Sequence, residues 1–482
     1  MKFFLLIVIV MTVVSCASNS QQSDIETVRE QIDSGEFSEA ESVIESVLEQ
    51  KKVSRDERRE WLFESERMER IRKDFTKTRQ DVLDETRYYV SEMEEDSINK
   101  WIEEGRYQFK IIDGDTLFFN RAVSNVFHVH KDAREKLTRA MDYFTKEPPL
   151  YEWNEHHGEV MEAAQNSTSP YVKPMRAKIT QSVTVDANAV PHGEKVRVWI
   201  PFPREIENRQ MNVNLIETSH TTYFVAPEKQ MQRTIYMEDI AEAGKELHFE
   251  VAYEYTSNGF YAPLSAETVQ ELSDEKKAEL DHFLSERLPH IEFTDELKEM
   301  SADLIGDETN PFIKAKMLFD YVDAIPWAGA MEYSTIRNLG KYAFETGQAD
   351  CGQVSMLLMT LFRMNGIPAR WQSGWEFSPE SFDTMHDWMM AYFEPYGWVP
   401  VDVTHGKLQG APDEKSAYFY LGGMDSYRVI FNDDYSREFN PEKKHFRSET
   451  VDSQRGEVEW RGGNIYFDKW SYNMEWEFTP VE

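Results

Sequence analysis

The sequence predicts an α+β chain whose centre is a helix bearing a lone cysteine, packed on an antiparallel sheet. A β-sandwich module precedes that core, and a mostly helical region precedes the sandwich. Three observations carry the prediction. Helical periodicity runs from about Ser23 to Thr145. Alternating strands, broken by clusters of Pro, Gly and Asn, fill about 172–260. Helical periodicity then returns from Ser273 to Asp323, ahead of a cysteine that opens one more amphipathic pattern.

The elements follow in order. Lys2 precedes an apolar run from Phe3 to Val14 that is too short for a bilayer span of roughly 20 residues, so 1–15 reads as an export signal. From 16 to 150 the chain reads as mostly helical. Ile25, Val28 and Ile32 share one face, Phe37, Ala40 and Ile44 another, and Gly35 separates them. Phe109 to Phe119 reads as a hairpin turning at Asp113-Gly114. In the sandwich module Ile179, Val183 and Val185 share a face, with Gln181 the polar exception. The core is expected over 273–411. The segment 412–482, rich in aromatics and turns, reads as strands and loops packing on it.

Composition limits the function classes. The chain has 482 residues, 40% hydrophobic and 13% aromatic, enough for large cores and two to four domains. A formal charge of −34 argues against nucleic-acid binding and against direct adsorption to an anionic surface. His128 and His130 lack a matching ligand cluster, and Asp433-Asp434 lacks the alternating oxygens of a calcium loop, so no metal and no cofactor is expected.

Of two cysteines, Cys16 sits at the end of the export signal, which leaves Cys351 as the sole thiol of the body. Asp350 is positioned as an N-cap, with Cys351 in the first helical turn. Val354, Leu357, Leu358, Leu361 and Phe362 form the buried face, and Asn365-Gly366 with Pro368 stops the helix. A thiol at a helix start is expected to have a lowered pKa, further lowered by a neighbouring imidazolium. His386 lies in the strand-like run Met385–Phe393, and Asp402 ends the run from Trp398. If Tyr392 faces Trp398, Asp402 lies opposite Trp388 and His386 falls diagonally on the same side, within side-chain reach. Asp402 then orients His386, which takes the proton of Cys351.

Residues 347–406 resemble the core of the transglutaminase-like superfamily, whose fold is related to papain-like cysteine proteases. The matching residues are Cys351 and its helix, Gly366-Ile367-Pro368-Ala369-Arg370, Ser373-Gly374-Trp375, His386-Asp387-Trp388 and Tyr396 to Thr404. The resemblance implies Cys351 as nucleophile, His386 as base and acid, and Asp402 as orienting residue. The family often has Ala after the His, whereas this chain has Asp387, a departure that alters the local charge. For the oxyanion the Cys351 amide is one donor, and the Trp327 indole or the Gln348 amide is the second candidate.

Val13-Val14-Ser15-Cys16 resembles the bacterial lipobox, which implies lipidation at Cys16 and a membrane anchor. The expected protein is an envelope lipoprotein, placed on the periplasm-facing outer membrane, acting on peptide or protein amides through a thioester. Hydrolysis is the first reading. Cross-linking by acyl transfer to an amine is the second, and a non-catalytic scaffold binding envelope proteins through the helical region is the third.

Overall fold

The computed structural model describes residues 25–50, 53–141, 151–378 and 382–481. The export signal and Cys16 lie outside the described residues. The chain divides into two compact units, Met1–Thr145 and Lys146–Glu482.

In the first unit, helices α1 (25–34), α2 (Phe37–Leu48) and α3 (Arg55–Asp74) lead to strand β1 (Phe75–Lys77). Then come α4 (Arg79–Tyr89), α5 (Glu95–Glu103), β2 (Phe109–Ile112), β3 (Asp115–Phe119), α6 (Ala122–Val129) and the short α7 (Lys131–Arg134). Val28, Ile32, Phe37, Ala40 and Ile44 are buried, as the periodicity predicts. β2 and β3 pair across Asp113-Gly114, with Ile112 opposite Asp115 and both turn residues at positive φ. Gly35 has φ +82, and a Cβ there would fall 1.9 Å from the Ile111 carbonyl oxygen, so only glycine lets the helical turn meet this hairpin.

In the second unit α8 (Glu155–Gln165) precedes six strands: β4 (Tyr171–Val185), β5 (Lys195–Pro201), β6 (Gln210–Thr218), β7 (Tyr223–Val225), β8 (Thr234–Ile240) and β9 (Leu247–Tyr261). Helices follow: α9 (Asp274–Glu279), α10 (Asp295–Ile305), α11 (Pro311–Asp323), α12 (Leu339–Thr346) and α13 (Cys351–Met364). The remaining strands are β10 (Ala369–Ser378), β11 (Phe382–Phe393), β12 (Gly397–Val401), β13 (Gly423–Met424), β14 (Arg428–Asn432), β15 (Glu457–Trp460), β16 (Gly463–Ile465) and β17 (Trp470–Pro480), with α14 (Glu414–Ala417) before β13.

These strands make three sheets. One has the order β13-β9-β4-β17 with β6 on β9, the second runs β16-β15-β5-β8-β7, and the third runs β12-β11-β10-β14. Strands after Pro412 therefore enter all three sheets. Ile179, Val183, Val198, Ile235, Phe249 and Val251 form the sandwich core. Trp375, Phe377, Val429 and Phe431 of the third sheet join that same core, so one hydrophobic cluster ties the third sheet to the other two. Gln181, the polar exception, is buried and donates to the Gln454 carbonyl. A buried amide needs such a partner. No helix among the described residues is long and apolar enough to cross a membrane.

Candidate active site

α13 begins where the sequence places it. Asp350 accepts the Gln353 amide (3.2 Å), and the Gln353 side chain accepts the Asp350 amide (3.1 Å), a reciprocal cap that fixes the first turn. Every residue from Gly352 to Arg363 is buried, which makes the helix a central strut with Cys351 half-buried at its tip.

The β11–β12 hairpin has Tyr392 opposite Trp398 and Met389 opposite Val401. Continued by one residue, that register brings Asp402 beside Trp388, and the ring of His386 reaches it. Its Nε2 donates to Asp402 Oδ2 at 2.8 Å. Both groups are buried. Around them stands a cluster that sequence reasoning missed. Arg428 donates to Asp402 Oδ2 at 2.8 Å and to Asp425 Oδ2 at 3.0 Å, and Glu376 Oε2 lies 3.5 Å from its guanidinium. His405 donates to Glu376 Oε2 at 2.6 Å, and the ring of Tyr151 stacks on it with centroids 3.9 Å apart.

The electrostatics follow from this arrangement. Burial alone would raise the Asp402 pKa, but His386, His405 and Arg428 outweigh it and hold the carboxyl far below the usual range. Burial disfavours the charged His386 ring, yet Asp402 and Glu376 overcome it and raise the imidazole above 6.5. Glu376, His386, Asp402 and His405 point donor atoms at one another within 4.8 Å, a geometry that invites a metal. Arg428 lies against both carboxylates of that set, so a guanidinium already supplies the positive charge that a cation would bring.

Cys351 meets the next residue along the same strand. Its thiol donates to Asp387 Oδ2 at 3.5 Å, and Ser355 of the following turn donates to the Asp387 carbonyl (3.1 Å). The thiol's hydrogen bond thus goes to Asp387, while the His386 ring is engaged through Nε2 with Asp402. Gly352 explains the close approach, since a Cβ there would fall 2.6 Å from Asp387 Oδ2 and 2.2 Å from the Tyr333 hydroxyl.

The expected lowering of the thiol pKa is reversed. Burial pushes it up, and the Asp387 and Asp350 carboxyls push it further, with Glu376 adding to them. The Asp387 amide, turned to the sulfur, opposes this only in part. A helix terminus stabilises an anion by roughly 0.3–1 kcal/mol, too little to offset burial among carboxyls.

Trp327 pairs in parallel with Ala349, and the Ala328 amide donates to the Ala349 carbonyl at 2.9 Å, so its backbone runs beside the approach to Cys351. Gln348 is half-buried, and its carbonyl accepts the Thr346 hydroxyl. A stronger polar neighbour is Tyr333, which accepts the Gly352 amide at 3.0 Å and faces Asp350 Oδ1 (2.8 Å) and Asp387 Oδ2 (3.1 Å). No local signal marks Tyr333, Glu376 or Arg428 in the sequence, because their partners are distant along the chain.

Residues 298–403 match the model of the transglutaminase-like superfamily. The uncharacterized protein YebA of Bacillus subtilis (strain 168) is 27% identical over 128 residues, which cover 23% of this chain and only 17% of that protein. A crystal structure from Cytophaga hutchinsonii, titled a candidate cysteine protease, aligns at 13% identity with a TM-score of 0.44, covering 65% of this chain and 92% of the other. A candidate protease from Parabacteroides distasonis aligns at 12% identity with a TM-score of 0.20, covering 49% and 47%. Residues 298–403, which contain the Cys351 helix and the His386–Asp402 hairpin, are a transglutaminase-like domain.

Proposed function

We propose that this protein cleaves peptide or protein amides through a thioester on Cys351. The observation that carries the reading is the 2.8 Å bond from His386 Nε2 to Asp402, formed one residue along β11 from the position that meets the thiol. With Nε2 committed to Asp402, Nδ1 is the ring atom that exchanges a proton with sulfur and with the leaving amine. Because the thiol is held protonated, the nucleophile forms as the substrate is attacked, with neutral His386 as general base. The sulfur bonds to the carbonyl carbon, the imidazolium protonates the departing amine, and water resolves the thioester. An amine acceptor in place of water gives a cross-link. Cys16 and its lipobox support an envelope lipoprotein carrying this activity on a membrane anchor.

The test is product analysis on glutamine-containing peptides with and without added amine. Hydrolysis products that dominate in both cases support the reading, and amine incorporation that outruns hydrolysis replaces it with a transferase. Cys351→Ala should lower either activity by about 10⁴-fold or more. The raised thiol favours a second reading, a binding protein with an inert cysteine. Turnover in the parent protein that is lost in Cys351→Ala eliminates it.

A further inference from the structure

The role of Asp387 reaches beyond the dyad of His386 and Asp402. Its Oδ2 receives the Cys351 thiol (3.5 Å) and faces the Tyr333 hydroxyl (3.1 Å), and its Oδ1 receives the Gln454 side chain at 2.8 Å. Asp452 is hydrogen-bonded to it from the segment before β15. Asp350 faces it across Tyr333. Tyr333 has one phenolic hydrogen, so it cannot donate to Asp350 and Asp387 together, while its oxygen accepts from Gly352. Asp387 and Asp452 are both buried and hydrogen-bonded to each other, so ionising both together carries a large repulsion.

We propose that Asp387, through the proton it shares with Asp452, is a positioning residue that sets the protonation state of the Cys351 thiol. With that proton on Asp387, the carboxyl is neutral and sulfur can develop negative charge as His386 draws its proton away. Once Asp387 ionises, its carboxylate stands 3.5 Å from sulfur, accepts the S–H bond and locks the thiol. Burial and Asp452 raise the Asp387 pKa, so the ionisation that locks the thiol is moved to higher pH. The other charged groups near the pair are accounted for. Ser373 donates to Asp452, the Arg447 and Arg455 guanidinium groups act on Asp452, His386 precedes Asp387 on β11, and Glu376 stands on β10 with its carboxylate 3.7 Å from the His386 ring. No guanidinium contacts Asp387 among its described hydrogen bonds.

The proposal deepens the reading of Cys351 as nucleophile, and its test separates the two. Iodoacetamide labelling of the full chain across pH, without substrate, gives the thiol midpoint. In the parent protein that midpoint should lie well above 8.5. Asp387→Asn keeps the shape and removes the charge, so its midpoint should fall by at least one unit, about ten-fold in thiolate at a given pH. Asp452→Asn lets Asp387 ionise sooner, so the midpoint should not fall and the alkaline edge of turnover should move to lower pH. An Asp387→Asn midpoint within about 0.3 units of the parent, or an equal fall in Asp452→Asn, overturns the proposal. Absence of turnover with the labelling shifts intact refutes the catalytic reading and leaves this one standing.

Discussion

His386 and Asp387 are neighbours on β11, yet they enter two differently balanced clusters. On the His386 side, Asp402, Asp425 and Glu376 surround a buried guanidinium, and all three carboxyls are held below their ordinary pKa values. On the Asp387 side, carboxyls gather around a thiol and a phenol, and Asp387 and Asp452 are pushed upward. Burial opposes ionisation in both places. The difference is the cation: the Arg428 guanidinium stands against Asp402, Asp425 and Glu376, whereas no guanidinium touches Asp387 among its described hydrogen bonds. One strand thus carries a base beside a carboxyl held below its ordinary pKa on one residue and an acid held above its ordinary pKa on the next.

The largest break comes from Asp402→Asn, which leaves the charge balance near Asp387 untouched. Replacing one carboxylate oxygen by an N–H₂ donor and removing the charge lets the ring adopt the wrong tautomer, and turnover should fall by about 10²–10⁴-fold at unchanged thiol midpoint. Steady-state kinetics and labelling together check this. A turnover loss below ten-fold would dissolve the distinction between the two clusters.

Arg428→Met attacks the balance itself. Three buried carboxylates lose their partner, and denaturant unfolding at neutral pH should report a cost of about 3–5 kcal/mol. The sign with pH is fixed by the depressed pKa of Asp402. Its stabilisation is present above the unfolded carboxyl value near 3.9 and is lost as pH falls, so the gap between parent and variant should narrow toward acid. By contrast, Asp387→Asn keeps the shape of the side chain and strands no buried cation, and should cost about 1 kcal/mol or less in the same measurement.

Asp350→Ala removes the cap of α13 and should cost about 1 kcal/mol, with a smaller effect on turnover through misplacement of Cys351. The smallest effect sharpens the comparison in pH. Turnover needs neutral His386, whose pKa is raised by Asp402 and Glu376 against burial, so the acid limb of kcat/KM should lie above about 6.5. A limb below that value would mean that Arg428 cancels the two carboxylates at the ring.

What could be read in the sequence was what local order controls. The cap at Asp350, the buried face of α13 and the turn of the β11–β12 hairpin depend on residues a few positions apart, and the hairpin register brings His386 to Asp402. Asp387 stood out as an acid where the family often has alanine, but its effect was illegible, because Tyr333, Asp452 and Gln454 approach from distant segments. Arg428 was hidden for the same reason. It reads as one more strand residue until β14 pairs with β10 and sets it under the hairpin. The thiol pKa was misjudged because the helix terminus is visible in sequence and the surrounding carboxyls are not.

The pairing of β17 with β4 has a consequence for how this protein comes to be folded. β17 runs along β4 from Trp470 opposite Val185 to Pro480 opposite Met175, so the β4 edge is covered only after Trp470–Pro480 has been made. Such distant pairing closes slowly. β15 and β14 likewise pair with the earlier strands β5 and β10, and Arg428 and Gln454 come with these later segments. A partly synthesised chain therefore holds Cys351 before it holds either neutralising cluster. The reactive centre is completed only when the whole second unit closes, so folding itself delays the onset of any activity.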